Sequence, residues 1–183
     1  MPIVPETKDW TWVIERPCPE CGFDATSIPS ETVPRLLRET AAAWQAVLGE
    51  GDAPALRSRP SEDRWSTLEY ACHVRDVFAR FDERLRLMLA EDDPTFPNWD
   101  QDATAVADRY NEQDPAVVMT QLSAAALAFA SNLSALSADD WHRQGSRSDG
   151  AHFRLDGFAR YMIHDPIHHL HDVGSPLRSV ERS

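Results

Sequence analysis

Apolar side chains recur at intervals of three and four along four long stretches of the chain, the period of a helix with one buried face. The first stretch runs from about Glu31 to Leu48 through Val33, Leu36, Leu37, Thr40, Trp44, Val47 and Leu48. Ser30 reads as its N-cap and Gly49 as its stop. The second opens at Ser66-Thr67-Leu68-Glu69, a capping-box pattern, and continues to about Ala90. Asp114-Pro115 opens the third, which carries Val118, Leu122, Ala125, Phe129 and Leu133 towards Leu136. The fourth starts near Leu155 or Asp156 and runs to about Val173, with Pro166 inside it. A proline there removes the hydrogen bond to residue 162, so a kink is expected.

Between these stretches the pattern fails. Residues 1–30 are broken by prolines at 2, 5, 17, 19 and 29, and Asp9–Ile14 reads as a short extended piece that buries Trp10 or Trp12. Residues 50–64 are a polar connection. Residues 91–114 form a long acidic loop carrying Phe96, Trp99 and Asp100, with a helical turn towards Tyr110. A loop of that length with buried-type aromatics suits the border of a substrate pocket. Residues 137–153 read as polar loop with a single turn at 137–141, and no strand alternation is evident anywhere. The expected fold is therefore all-α, a four-helix bundle over residues 31–175, with an irregular extension at 1–30, a long crossover between helices 2 and 3, and a tail at 176–183.

Composition narrows the function. The 183 residues are 42% hydrophobic and carry a formal net charge of −12. That charge disfavours nucleic-acid phosphates and anionic membrane surfaces. No run approaching the roughly 20 apolar residues of a membrane span is evident, and the first residues lack a signal-peptide pattern, so a cytoplasmic protein is expected. Three cysteines, Cys18, Cys21 and Cys72, do not make a disulfide framework.

Four of the seven histidines fall between positions 164 and 171. His164 and His168 are about 40° apart around a helix and one turn apart along it, the spacing of two ligands to one ion. His73, one turn into the second helix, is the leading third ligand. Three imidazoles leave a coordination position for water or substrate, as in catalytic zinc sites. His169 lies about 140° from His164 and ranks behind it. Asp76 and Asp165 read either as acceptors that orient a ligand imidazole or as ordinary surface carboxylates, Asp76 paired with Arg80. Cys18-Pro19-Glu20-Cys21-Gly22 has the form of half a zinc knuckle. Three readings stay open for it: a tight turn with two reduced thiols, a knuckle, or a source of two thiolates for the histidine site.

The segments Trp65-Ser66-Thr67-Leu68-Glu69-Tyr70-Ala71-Cys72-His73-Val74-Arg75-Asp76 and His164-Asp165-Pro166-Ile167-His168-His169 resemble the DinB-like superfamily of metalloenzymes, over roughly residues 31–173. The resemblance implies an up-down-down-up four-helix bundle and a zinc or nickel site at His73, His164 and His168. It also implies thiol-dependent chemistry, since relatives with known activity are S-transferases and isomerases using mycothiol, bacillithiol or glutathione, and dimers are common among them. The Arg-rich, Lys-poor composition resembles that of actinobacterial proteins and selects mycothiol. The expected activity is a metal-dependent S-transferase acting on a small electrophile. The alternatives are a non-catalytic zinc-stabilised module with Cys18 and Cys21 joining the histidines, and a metal-dependent hydrolase. The Cys18-x-x-Cys21 pair is not part of the family pattern.

Overall fold

A computed structural model describes residues 9–177; residues 1–8 of the expected extension and 178–183 of the expected tail lie outside them. The helices are α1 (Val33–Glu50), α2 (Ala53–Arg57), α3 (Thr67–Ala90), α4 (Gln101–Ala107), α5 (Pro115–Ser134) and α6 (Leu155–Asp172). Local chemistry sets several of their ends. Ser66 and Glu69 close a reciprocal capping box on α3, and the Asp114 side chain accepts from the Ala116 amide ahead of Pro115 on α5. Other ends depart from expectation. A 3-10 turn, Ser30–Thr32, precedes α1, and the Ser30 hydroxyl donates to the Asp156 carbonyl (3.4 Å) instead of capping the helix. α1 passes Gly49 and ends at Glu50, and α2, capped by Asp52, occupies part of the connection expected to be irregular.

The four long helices form a ring in which α5 and α6 each lie between α1 and α3. Polar contacts fix the directions. Arg38, early in α1, donates to Ser134 at the end of α5 (3.4 Å), so these two run antiparallel. The Ser66 hydroxyl, capping α3, donates to Asn111 just before α5 (2.9 Å), so α3 and α5 run the same way. Ser30 reaches Asp156, and the Trp44 indole donates to the Pro166 carbonyl (3.2 Å), which aligns α1 with α6. The result is up-down-down-up. Two parallel helices in sequence need a connection that runs back the length of the bundle, and residues 91–114 supply it. α6 continues helically through Pro166, which is buried.

A small sheet was not evident in the sequence. β1 (Thr95–Phe96) pairs parallel to β2 (Gln144–Arg147), which pairs antiparallel to β3 (His152–Arg154), with Thr95 opposite Ser146 and Gly145 opposite Phe153. Strands of two to four residues are too short to show alternation. The sheet staples the crossover to the α5–α6 connection. Residues Thr11–Ile14 form a 3-10 turn against α6 rather than an extended piece, burying Val13 and leaving Trp10 and Trp12 half-buried. Leu177, in the expected tail, is packed into the core. α5 is long and apolar enough, with mean hydropathy 1.4, to cross a membrane by length and composition, contrary to expectation. Here it packs Val118, Leu122, Ala126, Phe129 and Leu133 into the bundle core.

Candidate metal centre

The start of α3 and the last turns of α6 meet at one end of the bundle. α6 presents two interleaved pairs of donors there. His164 and His168 share one stripe; Asp165 and His169 share the next, about 100° further around. Each stripe faces different partners, and the structure accordingly forms two groups in which all ligand atoms lie within 4.8 Å of one another.

The first group is His73, Asp165 and His169. The His73 Nε2 is 3.3 Å from Asp165 Oδ1, and His169 Nε2 is 3.7 Å from the same oxygen. That oxygen is buried without a hydrogen-bond partner. His73 is fully buried, while Asp165 is half-buried at the cleft. Burial alone would raise the Asp165 carboxyl, but His73 and His169 outweigh it and hold it below the usual carboxylate range. The far nitrogen of His169, Nδ1, is 2.8 Å from Asp172, which fixes the ring so that Nε2 points inward. Aromatic rings frame the group: Trp99 stacks on His73 at 5.2 Å and 7°, Trp65 lies 5.3 Å from His73, and Tyr70 lies 4.7 Å from His169. Two imidazoles and an ionised carboxylate with an unpartnered oxygen suit a divalent ion and leave positions for exogenous ligands.

The second group is Cys18, Cys21, His164 and His168. Cys18 Sγ lies 3.7 Å from His168 Nδ1, and Cys21 Sγ lies 3.7 Å from His164 Nε2. Cys18, His164 and His168 are buried. Burial holds His164 neutral, its pKa pushed down to about 4, and pushes the Cys21 thiol up to about 12 with the help of Cys18.

The predicted trio is thus divided. His73 is grouped with Asp165 and His169, and His164 and His168 are grouped with the two cysteines. The reason is tertiary: α3 covers one stripe of α6 and the N-terminal extension covers the other. Asp165, read as an outer acceptor or a solvated carboxylate, lies among the donors. Asp76 contacts neither group. It pairs with Arg75 (2.7 Å) rather than Arg80, and accepts from the Tyr110 hydroxyl.

The first group opens into a cleft of about 1250 Å³. Trp99 and Asp100 line it. Asp100 is also the N-cap of α4, accepting from the Ala103 amide at 2.8 Å. Phe96, expected at the pocket, is instead a core residue on β1, 2% exposed and 5.9 Å from the Phe158 ring. A cationic wall of this cleft was not evident in the sequence. Arg84 lies deep in the cleft, donating to the Pro97 carbonyl (2.9 Å), and burial with the charges of Arg80 and Arg147 pushes its pKa down to about 10. Arg147, read as part of a surface loop, bonds Asp149 (2.8 Å) and the Tyr161 hydroxyl (3.1 Å) beside it. An arginine amid the apolar period of α3 was the one available signal for Arg84.

The family model of the DinB superfamily matches residues 36–173. A solved structure described as "YfiT from Bacillus subtilis is a probable metal-dependent hydrolase with an unusual four-helix bundle topology" superposes with a TM-score of 0.71 at 17% identity, covering 84% of this chain and 86% of that one. No curated protein matches the chain.

Proposed function

The chain belongs to the DinB superfamily, and from that premise we propose that it is a metal-dependent enzyme whose centre is His73, Asp165 and His169, transferring a low-molecular-weight thiol to a small electrophile. The observation that carries this reading is the placement of that three-donor group at the wall of the cleft, with a carboxylate oxygen lacking any other partner. A zinc or nickel ion held there would supply Lewis acidity that lowers the pKa of a coordinated thiol or water.

The protein's own groups do the rest. His169, oriented by Asp172, and His73, held between Trp65 and Trp99, fix two donor nitrogens on rigid helices. The cleft exceeds the usual volume of about 300–1000 Å³ for a single drug-sized ligand, which supports a thiol cosubstrate and a substrate bound together. Arg84 and Arg147 on its wall favour an anionic group on one of them; among the thiols the family resemblance implies, mycothiol is the one the Arg-rich, Lys-poor composition selects. In the reaction the thiol sulfur bonds the electrophilic carbon, the carbon's leaving group departs with its electron pair, and the thiol proton passes to water. The acidic net charge of −12 fits small-molecule partners rather than nucleic acid.

A metal-dependent hydrolase is the second reading, favoured by the description of the YfiT structure. Zinc- or nickel-loaded protein incubated with mycothiol and a chloronitroarene should release chloride and form the thioether, with His73→Ala inactive. Thiol-independent cleavage of ester or amide substrates, with no thioether, would establish the hydrolase instead.

A further inference from the structure

The second donor group is not absorbed by that reaction. We propose that Cys18, Cys21, His164 and His168 form a separate, closed zinc site that clamps the N-terminal extension onto α6.

The geometry is that of a tetrahedral ion's ligand shell before the ion is considered. With Zn–S near 2.3 Å and Zn–N near 2.05 Å, a tetrahedral angle separates a sulfur from a nitrogen by about 3.6 Å. Two of the four sulfur–nitrogen pairs, Cys18–His168 and Cys21–His164, are at 3.7 Å, and all four ligand atoms lie within 4.8 Å of one another. Two thiolates and two neutral imidazoles fill the four positions, so none remains for substrate.

The backbone is shaped for it. In Cys18-Pro19-Glu20-Cys21-Gly22, the Gly22 amide donates to the Cys18 carbonyl and the Cys18 amide to the Phe23 carbonyl, both at 2.9 Å. Gly22 takes φ +75°, a left-handed conformation that glycine adopts without strain. The outer nitrogen of His168, Nε2, faces carboxylates of Glu20 (3.6 Å) and Asp172 (3.7 Å), leaving Nδ1 as the donor to the site. Trp10 covers both imidazoles, with ring centroids 5.4 Å from His164 and 4.9 Å from His168.

The clamp has a consequence for the cleft. Asp9, Trp10, Thr11 and Glu20 form part of its wall, and they belong to the segment that the knuckle ties down. His164 and His168 line the cleft as well, so the clamp both holds this wall in place and forms part of it, its four positions filled by protein ligands.

The test uses the full chain, loaded with zinc or with cobalt(II). Cobalt bound by Cys18 and Cys21 should show thiolate-to-metal charge-transfer absorption and the strong visible bands of a tetrahedral ion. His73→Ala should keep that signature while losing the metal held at the open centre. Cys18→Ser combined with Cys21→Ser should abolish it and lower bound zinc by one equivalent per chain. Should the double variant fail to fold, the wild type decides: with zinc bound, X-ray absorption should require two sulfur scatterers near 2.3 Å, and Cys18 and Cys21 should be protected from alkylation. A metal-saturated wild type with no sulfur in the metal shell and freely alkylated Cys18 and Cys21 would overturn the proposal. Its failure is separate from failure of the proposed activity, because His73→Ala reports only on the open centre.

Discussion

Replacing Glu69 by Gln tests whether the start of α3, one turn ahead of His73, is held by charge. The carboxylate accepts from the Ser66 amide (2.9 Å), from Arg59 Nε (2.8 Å) and from a second Arg59 nitrogen, and the residue is only 3% exposed. Hydrogen bonds to a charged partner contribute roughly 1.5–3 kcal/mol and neutral ones roughly 0.5–1.5. Gln keeps one acceptor oxygen, and its amide group turns donors towards the donors of Arg59. With about 1 kcal/mol lost per weakened bond, and Arg59 partly solvated, the cost at pH 7 is about 2–3 kcal/mol. For a chain of this size that lowers the melting temperature by about 4–12 °C. Burial alone would raise the Glu69 carboxyl, but Arg59 and Ser66 outweigh it and lower its pKa on folding. Its charged form therefore contributes stability that is fully present above the unfolded glutamate value and is lost as pH falls through the lower folded value. Urea unfolding of wild type and Glu69→Gln at pH 7 and at about pH 3 should show the full difference at pH 7 and a smaller one at pH 3, where the unfolded glutamate is already protonated. A difference of equal size at both pH values would refute the reasoning, since it would place the cost in packing rather than in charge.

Trp44→Leu removes a fully buried indole and its bond to the Pro166 carbonyl, and should destabilise by about 2–4 kcal/mol in urea unfolding. Gly145→Ala places a Cβ 2.9 Å from Met88 Cγ and 3.1 Å from the Phe96 ring; an overpacking cost of about 1–2 kcal/mol is expected, read as a shifted urea midpoint with an unchanged slope. Arg84→Met keeps the aliphatic stem and removes the cation, so KM for an anionic cosubstrate should rise about tenfold or more, while KM for a neutral electrophile changes little.

The helices were legible because each carries its burial pattern locally. The caps at Ser66/Glu69 and Asp114/Pro115 were legible for the same reason: the side chain that stops the orphan amide is within three residues of it. The end of α1 and the existence of α2 were less so, because Gly49 tolerates a helix when the flanking turns pack and α2 is a single capped turn. The sheet could not be read at all. β1 finds its partner 51 residues further along the chain, at Thr95 opposite Ser146, and such pairing leaves no trace in either segment alone. Phe96 went into the core and Arg147 into the cleft by way of that pairing.

The histidine cluster shows where local reading stops. Spacing correctly places His164 and His168 on one stripe, but the same rule places Asp165 and His169 on another, and spacing cannot say which stripe meets His73. That choice is made by the bundle, which turns the Asp165 stripe towards α3, and by the extension, which lies over the other. Asp172 touches both arrangements, with one oxygen 2.8 Å from His169 Nδ1 and 3.7 Å from His168 Nε2. A carboxylate shared in this way orients one imidazole of each group at once. Substitution of Asp172 by Asn should therefore weaken metal binding at both groups, whereas His169→Ala should weaken it only at the open one and His164→Ala only at the closed one. Outer partners of ligand histidines typically change metal affinity about 10–100-fold, a range that competition with a chelator resolves at each site separately. If Asp172→Asn left one affinity unchanged, the two stripes would not share their support, and the placement of Asp172 between them would be packing alone.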